Sequence, residues 1–415
     1  MRTEPSPNGY TDRGFGVDVD YDALVIGAGP VGGYVAGAIA AKGYRVGLVE
    51  EHREVGEPVQ CGGLITPRVF DLVPGRETIV NDVRGAEIFS PKGRRMIVDA
   101  HRTEAVVVDR AKFDRAIVTH AIKQGAQTLL GTKALVGRQR DGGVEVVVDR
   151  DGRQQSLTAK LLIGADGVQS VVAKWFRILR PKYVLPGFEC EMTGVGGDPA
   201  FVKLFVGNEI APGFFGWIIP AGDGRGRVGL CLREGNAYAY FEKLVRDGPA
   251  RPFLKGAQPL LYIAGGIPLG FPRRTFADHV MIVGDAACQV KGTSGGGICS
   301  GLRCAALCAD TALEALAKDD FTAKQMRKYH KAWIRSVGKE LRRDLAILES
   351  FATLKDRQME DIFDLFNTPA MIDLIESYGD IDFPSKLGWR LLREEPRLLK
   401  YVGKALRPML PRIGG

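Results

Sequence analysis

Apolar and polar positions along this chain fall into short runs that predict its elements in turn. Asp22–Ile26 is an apolar run with β-branched members, the pattern of a strand covered on both faces. Val31–Ala41, rich in Ala and Gly, has a helical rhythm, and Gly43 is placed to stop it. Arg45–Glu50 is a second buried run that ends in an acid. His52–Thr66 reads as a loop containing Cys61-Gly62-Gly63, and Ala86–Val108 as short strands. Asp109–Gln124 predicts a helix with Asp109 as N-cap, because Phe113, Ile117 and Ala121 recur at four-residue spacing. Val144–Asp149 and Leu157–Ile163 predict two strands around a turn at Asp151-Gly152. Between Pro181 and Phe271 short apolar runs are punctuated by Gly and Pro, which suits an antiparallel sheet. His279–Val283 is again a buried strand, Gly297–Leu316 a helix, and the remainder reads as helical.

These elements predict an α/β domain in three pieces, 19–85, 106–180 and 272–315, interrupted by a β-rich domain at 86–105 and 181–271. A helical region would follow at 316–415, and Met1–Asp18 reads as a disordered tail. Composition agrees with a soluble multidomain chain: 415 residues, 45% hydrophobic and 26% charged. No apolar stretch reaches the ~18 residues of a membrane span, and the polar first residues do not form a signal peptide. Seven unevenly spaced cysteines point to a reducing cytoplasm rather than a disulfide framework. The net charge of +8 is concentrated between Phe383 and Gly415, where eight Lys/Arg face two Glu. Trp389, Leu391, Leu392, Leu398, Leu399 and Tyr401 are interleaved with them. That stretch is either a surface for anionic lipid or the solvated face of a helical bundle. No nucleic-acid motif accompanies the charge, so nucleic acid is not expected as a partner.

The string Gly27-Ala28-Gly29-Pro30-Val31-Gly32 joins the first strand to the first helix. Gly27 permits a tight turn, Gly29 lets backbone approach a phosphate, and Gly32 lets helix pack on strand. The helix N-terminus then offers free N–H groups and partial positive charge to a pyrophosphate. Glu50 lies 18 residues beyond Gly32, near the offset at which a carboxylate reaches a ribose diol. Leu161–Ser170 is a buried strand running into Ala165-Asp166-Gly167, and Val280–Ala287 another that delivers Asp285 to its carboxyl end. Asp285 and the glycine loop are thereby expected to face one crevice. Val107–Arg110 (Val-Val-Asp-Arg) opens the helix that follows.

Together these motifs resemble the FAD-containing fold of p-hydroxybenzoate hydroxylase type over residues 20–310. The implied class is a Rossmann-like FAD-binding domain with an antiparallel substrate sheet and a helical C-terminal region. Finer segments resemble the geranylgeranyl reductase family: Gly56–Thr66 its Cys-Gly-Gly segment, Lys291–Ile298 its Thr-Gly-Gly-Gly-Ile loop, and Pro212–Pro220 its Pro-x-x-Tyr-x-Trp-x-Phe-Pro motif. Phe215 and Ile219 depart from that last motif, and Phe215 has no hydroxyl to donate a proton. Gly292 also stands where a Pro often precedes the Thr. The resemblance implies FAD contacts from Gly27, Gly29, Pro30, Gly32, Glu50, Cys61, Gly62, Leu64, Arg110, Ala134, Asp285, Gly295, Gly296, Gly297 and Ile298. It implies saturation of prenyl C=C bonds on archaeal-type membrane lipids, with electrons from NADPH or ferredoxin, at a cytoplasmic, peripheral membrane location.

An isolated alkene has no carbonyl to polarise, so such chemistry needs a held hydride donor, a proton source and a dry apolar pocket. Phe214, Phe215, Trp217, Ile219 and Pro220 are candidates for its wall, the alternative being a plain core strand. Cys61 is the candidate catalytic residue, as proton donor or flavin-side contact, the alternative being a small buried hydrophobe. Cys288, Cys299, Cys304 and Cys308 lack a Cys-x-x-Cys pair and the five histidines lack ligand spacing, so no metal is expected. Two other functions fit related folds: an aromatic flavin monooxygenase and a prenyl-binding escort protein.

Overall fold

The computed structural model describes residues 19–178 and 183–402; the expected tail at 1–18 and the last basic residues, 403–415, lie outside them. The chain begins β1 (Tyr21–Ile26), α1 (Pro30–Ala40), β2 (Val46–Val49), followed by β3 (Leu64–Ile65), β4 (Ile79–Val83), β5 (Gly85–Phe89), β6 (Arg95–Asp99) and β7 (Ala105–Val108). Next come α2 (Arg110–Lys123), β8 (Gln127–Leu129), β9 (Thr132–Arg140), β10 (Gly143–Arg150), β11 (Arg153–Gly164) and α3 (Val171–Trp175). The insertion contains β12 (Tyr183–Thr193), β13 (Phe201–Val206), β14 (Phe215–Pro220), β15 (Arg225–Cys231), α4 (Ala237–Arg246) and β16 (Gln258–Leu269). The chain returns through β17 (Phe276–Ala277) and β18 (Val280–Ile282) to α5 (Ile298–Lys318) and α6 (Ala323–Trp333). It ends in α7 (Lys339–Phe351), α8 (Asp356–Phe366), α9 (Pro369–Tyr378) and α10 (Pro384–Glu394).

An eight-stranded sheet runs β17-β18-β11-β1-β2-β8, parallel from β18 to β8, with β10 paired antiparallel onto β11 and β9 onto β10. Its strands are continuous apolar runs because both faces are covered, Ala23, Leu24 and Val25 being fully buried. The helices covering one face are α1, α2 and α5. Gly33 and Gly37 let α1 meet α2 at backbone distance: a Cβ at Gly37 would lie 3.1 Å from the Ala121 Cα. The Asp109 side chain caps α2 by accepting from the Lys112 N–H at 3.1 Å.

The second sheet, β16-β12-β15-β14-β13-β5-β6, is antiparallel except for β13 and β5, which run parallel and join the two pieces of the β-rich region. A three-stranded sheet, β3-β7-β4, lies between. Several elements depart from the sequence reading, among them β3, which lies within the expected loop His52–Thr66, and β4, α3 and β17. β8 and β9 were not expected, since their alternation is polar-rich. α4 was not expected either, since Ala-Tyr-Ala-Tyr mimics a two-residue period, yet it buries Phe241 and Leu244 against the sheet.

Candidate active site

Four strand ends converge on one crevice. Gly27 leaves β1 at a φ of +100°, where a Cβ would sit 2.4 Å from the Ala165 carbonyl oxygen. At Gly32 a Cβ would lie 1.9 Å from the Gly27 oxygen, so helix, loop and the β11 turn interlock through missing side chains. Gly29 differs: no protein atom comes within 4 Å of its Cβ position, which opens onto the crevice. Pro30 occupies the first turn, where its missing N–H costs nothing, and no acid in that turn offsets the positive end of α1. Glu50, just beyond β2, accepts from the Ala28 N–H at 2.9 Å and from His52 at 2.7 Å. Ala134 is half-buried on β9, two residues past Thr132, whose N–H donates to the Glu50 carbonyl at 2.8 Å. Asp166 accepts from Ser170 Oγ and the Val172 N–H and so fixes the β11 turn to α3.

Asp285 follows β18, and no hydrogen-bond donor among the described residues meets its carboxylate; burial pushes its pKa up and the Arg110 charge pulls it down. A Cβ on Gly297 would come 2.9 Å from Asp285 Oδ1. Gly295 stands at φ +70°, with its Cβ position 2.5 Å from Ile267 and 3.6 Å from Phe214, and Gly296 rests on the Lys291 side chain. Ile298 opens α5, whose first turn also lacks an acid.

Arg110, the first residue of α2, pairs with Asp114 at 3.0 Å, and its positive charge lies near the Cys61 sulfur. The Gly63 N–H points at the same sulfur at 3.5 Å. Arg227 Nη1 donates to the Gly62 carbonyl at 2.8 Å and the Val108 carbonyl at 3.1 Å, clamping the Cys61 loop to β7. Leu64, half-buried, packs in the cluster of Ile219 and Trp217.

The seven-stranded sheet turns one face toward these loops. Strand register aligns Glu189 with Ile263 and Gly229, and Gly229 with Trp217. The next row on that face is Gly265, Gly187 and Cys231, and beyond it Ile267 stands opposite Leu185. The Cys231 sulfur covers Gly187, 2.6 Å from its Cβ position, so the row leaves a short trough over Gly265, between Ile263 and Ile267. Gly62 abuts one side, its Cβ position 2.9 Å from Ile219 and 3.0 Å from Glu189 Oε2; the Gln60 carbonyl lies 3.9 Å from that of Gly265. Phe215, Trp217 and Ile219 share this face of β14. Pro220 belongs with Ile218 to the opposite face, and Phe214 precedes the strand, buried and stacked on Phe215 at 4.2 Å.

Several participants escape sequence reading. Lys291 Nζ donates to the Ile381 carbonyl at 2.7 Å and lies 3.3 Å from Asp382, which also accepts from Thr66 Oγ1 and Arg68. Asp344 of α7 is fully buried behind the Gly292 backbone, and neither of its oxygens carries a well-formed hydrogen bond. Burial and the Glu340 charge push its pKa to about 7. Glu189 had a faint signal, an acid inside the apolar run of β12; Arg227 and Asp382 had none. Cys304 and Cys308 are core residues of α5, and no group of three metal-ligating side chains occurs among the described residues.

Open space at Gly29, two uncapped helix N-termini and a carboxylate without a donor are what an FAD would fill, and with the parallel sheet they define an FAD-binding flavoprotein. The FAD binding domain family matches residues 20–182. The chain is 32% identical to digeranylgeranylglycerophospholipid reductase of Methanocaldococcus jannaschii, over 92% of this chain and 97% of that protein. It is 31% identical to the enzyme of that name from Methanosarcina acetivorans, over 89% and 95%. A geranylgeranyl bacteriochlorophyll reductase-like protein of Thermoplasma acidophilum shares the fold, with a TM-score of 0.81 at 24% identity over 92% of this chain and 99% of that one. The chain belongs to the digeranylgeranylglycerophospholipid reductase family and is a flavin-dependent oxidoreductase.

Proposed function

We propose that the protein saturates the C=C bonds of geranylgeranyl chains on membrane glycerophospholipids. The observation that carries this is the open space over Gly265, bordered by Ile263, Ile267 and the Cys231 sulfur on an apolar sheet face and lying beside the Cys61 and Gly295 loops. A prenyl chain fits such a slot; a compact aromatic substrate or a merely carried prenyl group would not require flavin loops on both sides of it. Gly27–Gly32, Glu50, Arg110 and Asp285 would hold FAD, with Ala134 and Leu64 beside the nucleotide and Gly295–Ile298 against the ring. Bound, reduced FAD supplies hydride.

Cys61 is read as a flavin-side contact, since the Gly63 N–H points at its sulfur and the Arg110 charge lies nearby. Trp217, Phe215 and Ile219 wall the slot, with Phe214 supporting them. Among the described residues no helix is long and apolar enough to cross a membrane. Bilayer contact is assigned to the open edge of β16, where Leu260, Leu261 and Tyr262 are exposed, with the basic C-terminal stretch as a second contact. Reducing equivalents come from NADPH or an acidic ferredoxin, the latter favoured by the net positive charge. The test is mass spectrometry of geranylgeranyl lipid incubated with dithionite-reduced protein. A gain of one hydrogen pair per double bond is expected, and unchanged lipid would refute the reading.

A further inference from the structure

The reduction leaves one participant unassigned, the proton. Saturating an isolated alkene forms two C–H bonds, one from hydride and one from a proton, and the second needs an acid beside the double bond. Phe215 carries no hydroxyl, and the Cys61 sulfur accepts from the Gly63 N–H at 3.5 Å with the Arg110 charge nearby.

Glu189 is placed differently. It is 4% exposed and lies mid-strand on the face of β12 that borders the trough. Its Oε2 accepts from the Trp217 indole N–H at 2.7 Å, and its Oε1 is buried with no hydrogen-bond partner. Gly229 makes the pairing possible: a Cβ there would sit 2.9 Å from both Glu189 Cβ and Trp217 Cζ2, so the bare strand lets Trp217 reach across β15. A buried carboxylate with one lone donor and an empty oxygen is costly, and a carboxyl protonated on Oε1 costs less because it carries no charge. The charged groups around it are Arg227 and Glu191, with the buried Cys231 thiol on the neighbouring strand. Burial raises the Glu189 pKa foremost and Glu191 adds to this, while the Trp217 bond and Arg227 oppose it.

We propose that Glu189 is the proton donor for alkene saturation, its carboxyl holding a proton at Oε1 beside the Gly62 loop. This rests on the reading of the site as a prenyl reductase. In the step, the alkene π bond breaks and hydride, which the reduced flavin would give up as it is oxidised by two electrons, forms a C–H bond at one carbon. The Glu189 O–H bond breaks to form the C–H bond at the other, and the carboxylate left behind regains its proton from water. Trp217 positions the group and steadies the transient carboxylate.

The test compares wild type with Glu189→Gln, which keeps an acceptor for Trp217 and removes only the acid. In flavin-free wild type, infrared spectroscopy at neutral pH should show a protonated-carboxyl C=O band that is missing in Glu189→Gln. Loaded Glu189→Gln should keep its flavin absorbance and saturate geranylgeranyl lipid roughly 10²-fold more slowly or worse. A second variant, Trp217→Phe, removes a bond that favours the charged form, so the carboxyl band should persist to higher pH and the alkaline fall of the rate should move up with it. Unimpaired turnover by Glu189→Gln, or no difference band, overturns the assignment while leaving the prenyl reductase reading intact. Wild type that reduces no lipid under dithionite overturns both.

Discussion

Lys291 and Asp382 form a buried ion pair, 3.3 Å apart and each under a tenth exposed, between the glycine loop and the segment before α10. Asp382 reaches on to Thr66 at 3.0 Å, just past the Cys61 loop, so one carboxylate ties both loops of the site to the C-terminal helices. Asp382→Ala would strand the Lys291 ammonium with the Ile381 carbonyl alone. Thermal unfolding of the flavin-free protein should show a loss of about 3 kcal/mol. A change below roughly 0.5 kcal/mol would mean the pair is dispensable.

Asp344 makes stability depend on pH. Its folded pKa, about 7, lies above the ordinary aspartate value of 3.8, so the native state binds the proton more tightly than the unfolded chain. The resulting stabilisation is complete below pH 4 and disappears as pH rises through 7. Spread over three units it is on the order of 4 kcal/mol. Asp344→Asn should therefore match wild type in melting temperature near pH 4 and exceed it near pH 8. Parallel curves across that range would contradict the burial argument.

Gly29 and Gly32 separate binding from folding. Gly29→Ala meets no protein atom and should leave the flavin-free melting temperature unchanged, while FAD affinity, measured by fluorescence titration, falls at least tenfold. Gly32→Ala puts its Cβ against the Gly27 oxygen and should destabilise the flavin-free protein by about 1–3 kcal/mol. Full FAD affinity in Gly29→Ala would remove the pyrophosphate from that loop.

Cys61→Ala should retain the yellow flavin and lose most alkene reduction, because the small residue removes the sulfur beside the Arg110 charge. Undiminished turnover would remove Cys61 from the mechanism.

Gly265→Leu tests the slot. The Cβ position has only the Gln60 oxygen nearby, at 3.9 Å, so stability should change by less than about 0.5 kcal/mol. The added side chain should fill the trough and raise KM for geranylgeranyl lipid severalfold, with flavin content unaltered. An unchanged KM would move the substrate elsewhere.

The chain by itself determined whatever depends on near neighbours. The buried runs, the Asp109 cap, the backbone freedom of Gly27 and the acids placed at strand ends are consequences of local sterics and burial, so their periods and spacings are written into the sequence. The same logic failed where local pattern misleads, as in α4, whose alternating Ala-Tyr imitates a strand until the sheet beneath it selects the helical face. The meeting of distant faces was decided only by the tertiary structure. Trp217 and Glu189 are 28 residues apart, and Lys291 and Asp382 are 91. Each pair exists because sheet register or helix docking brings two strangers together in a place too dry for either to stand alone. Periodicity reports that a face is covered but not by what, and the acid–indole pair beside the glycine trough is a property of that covering.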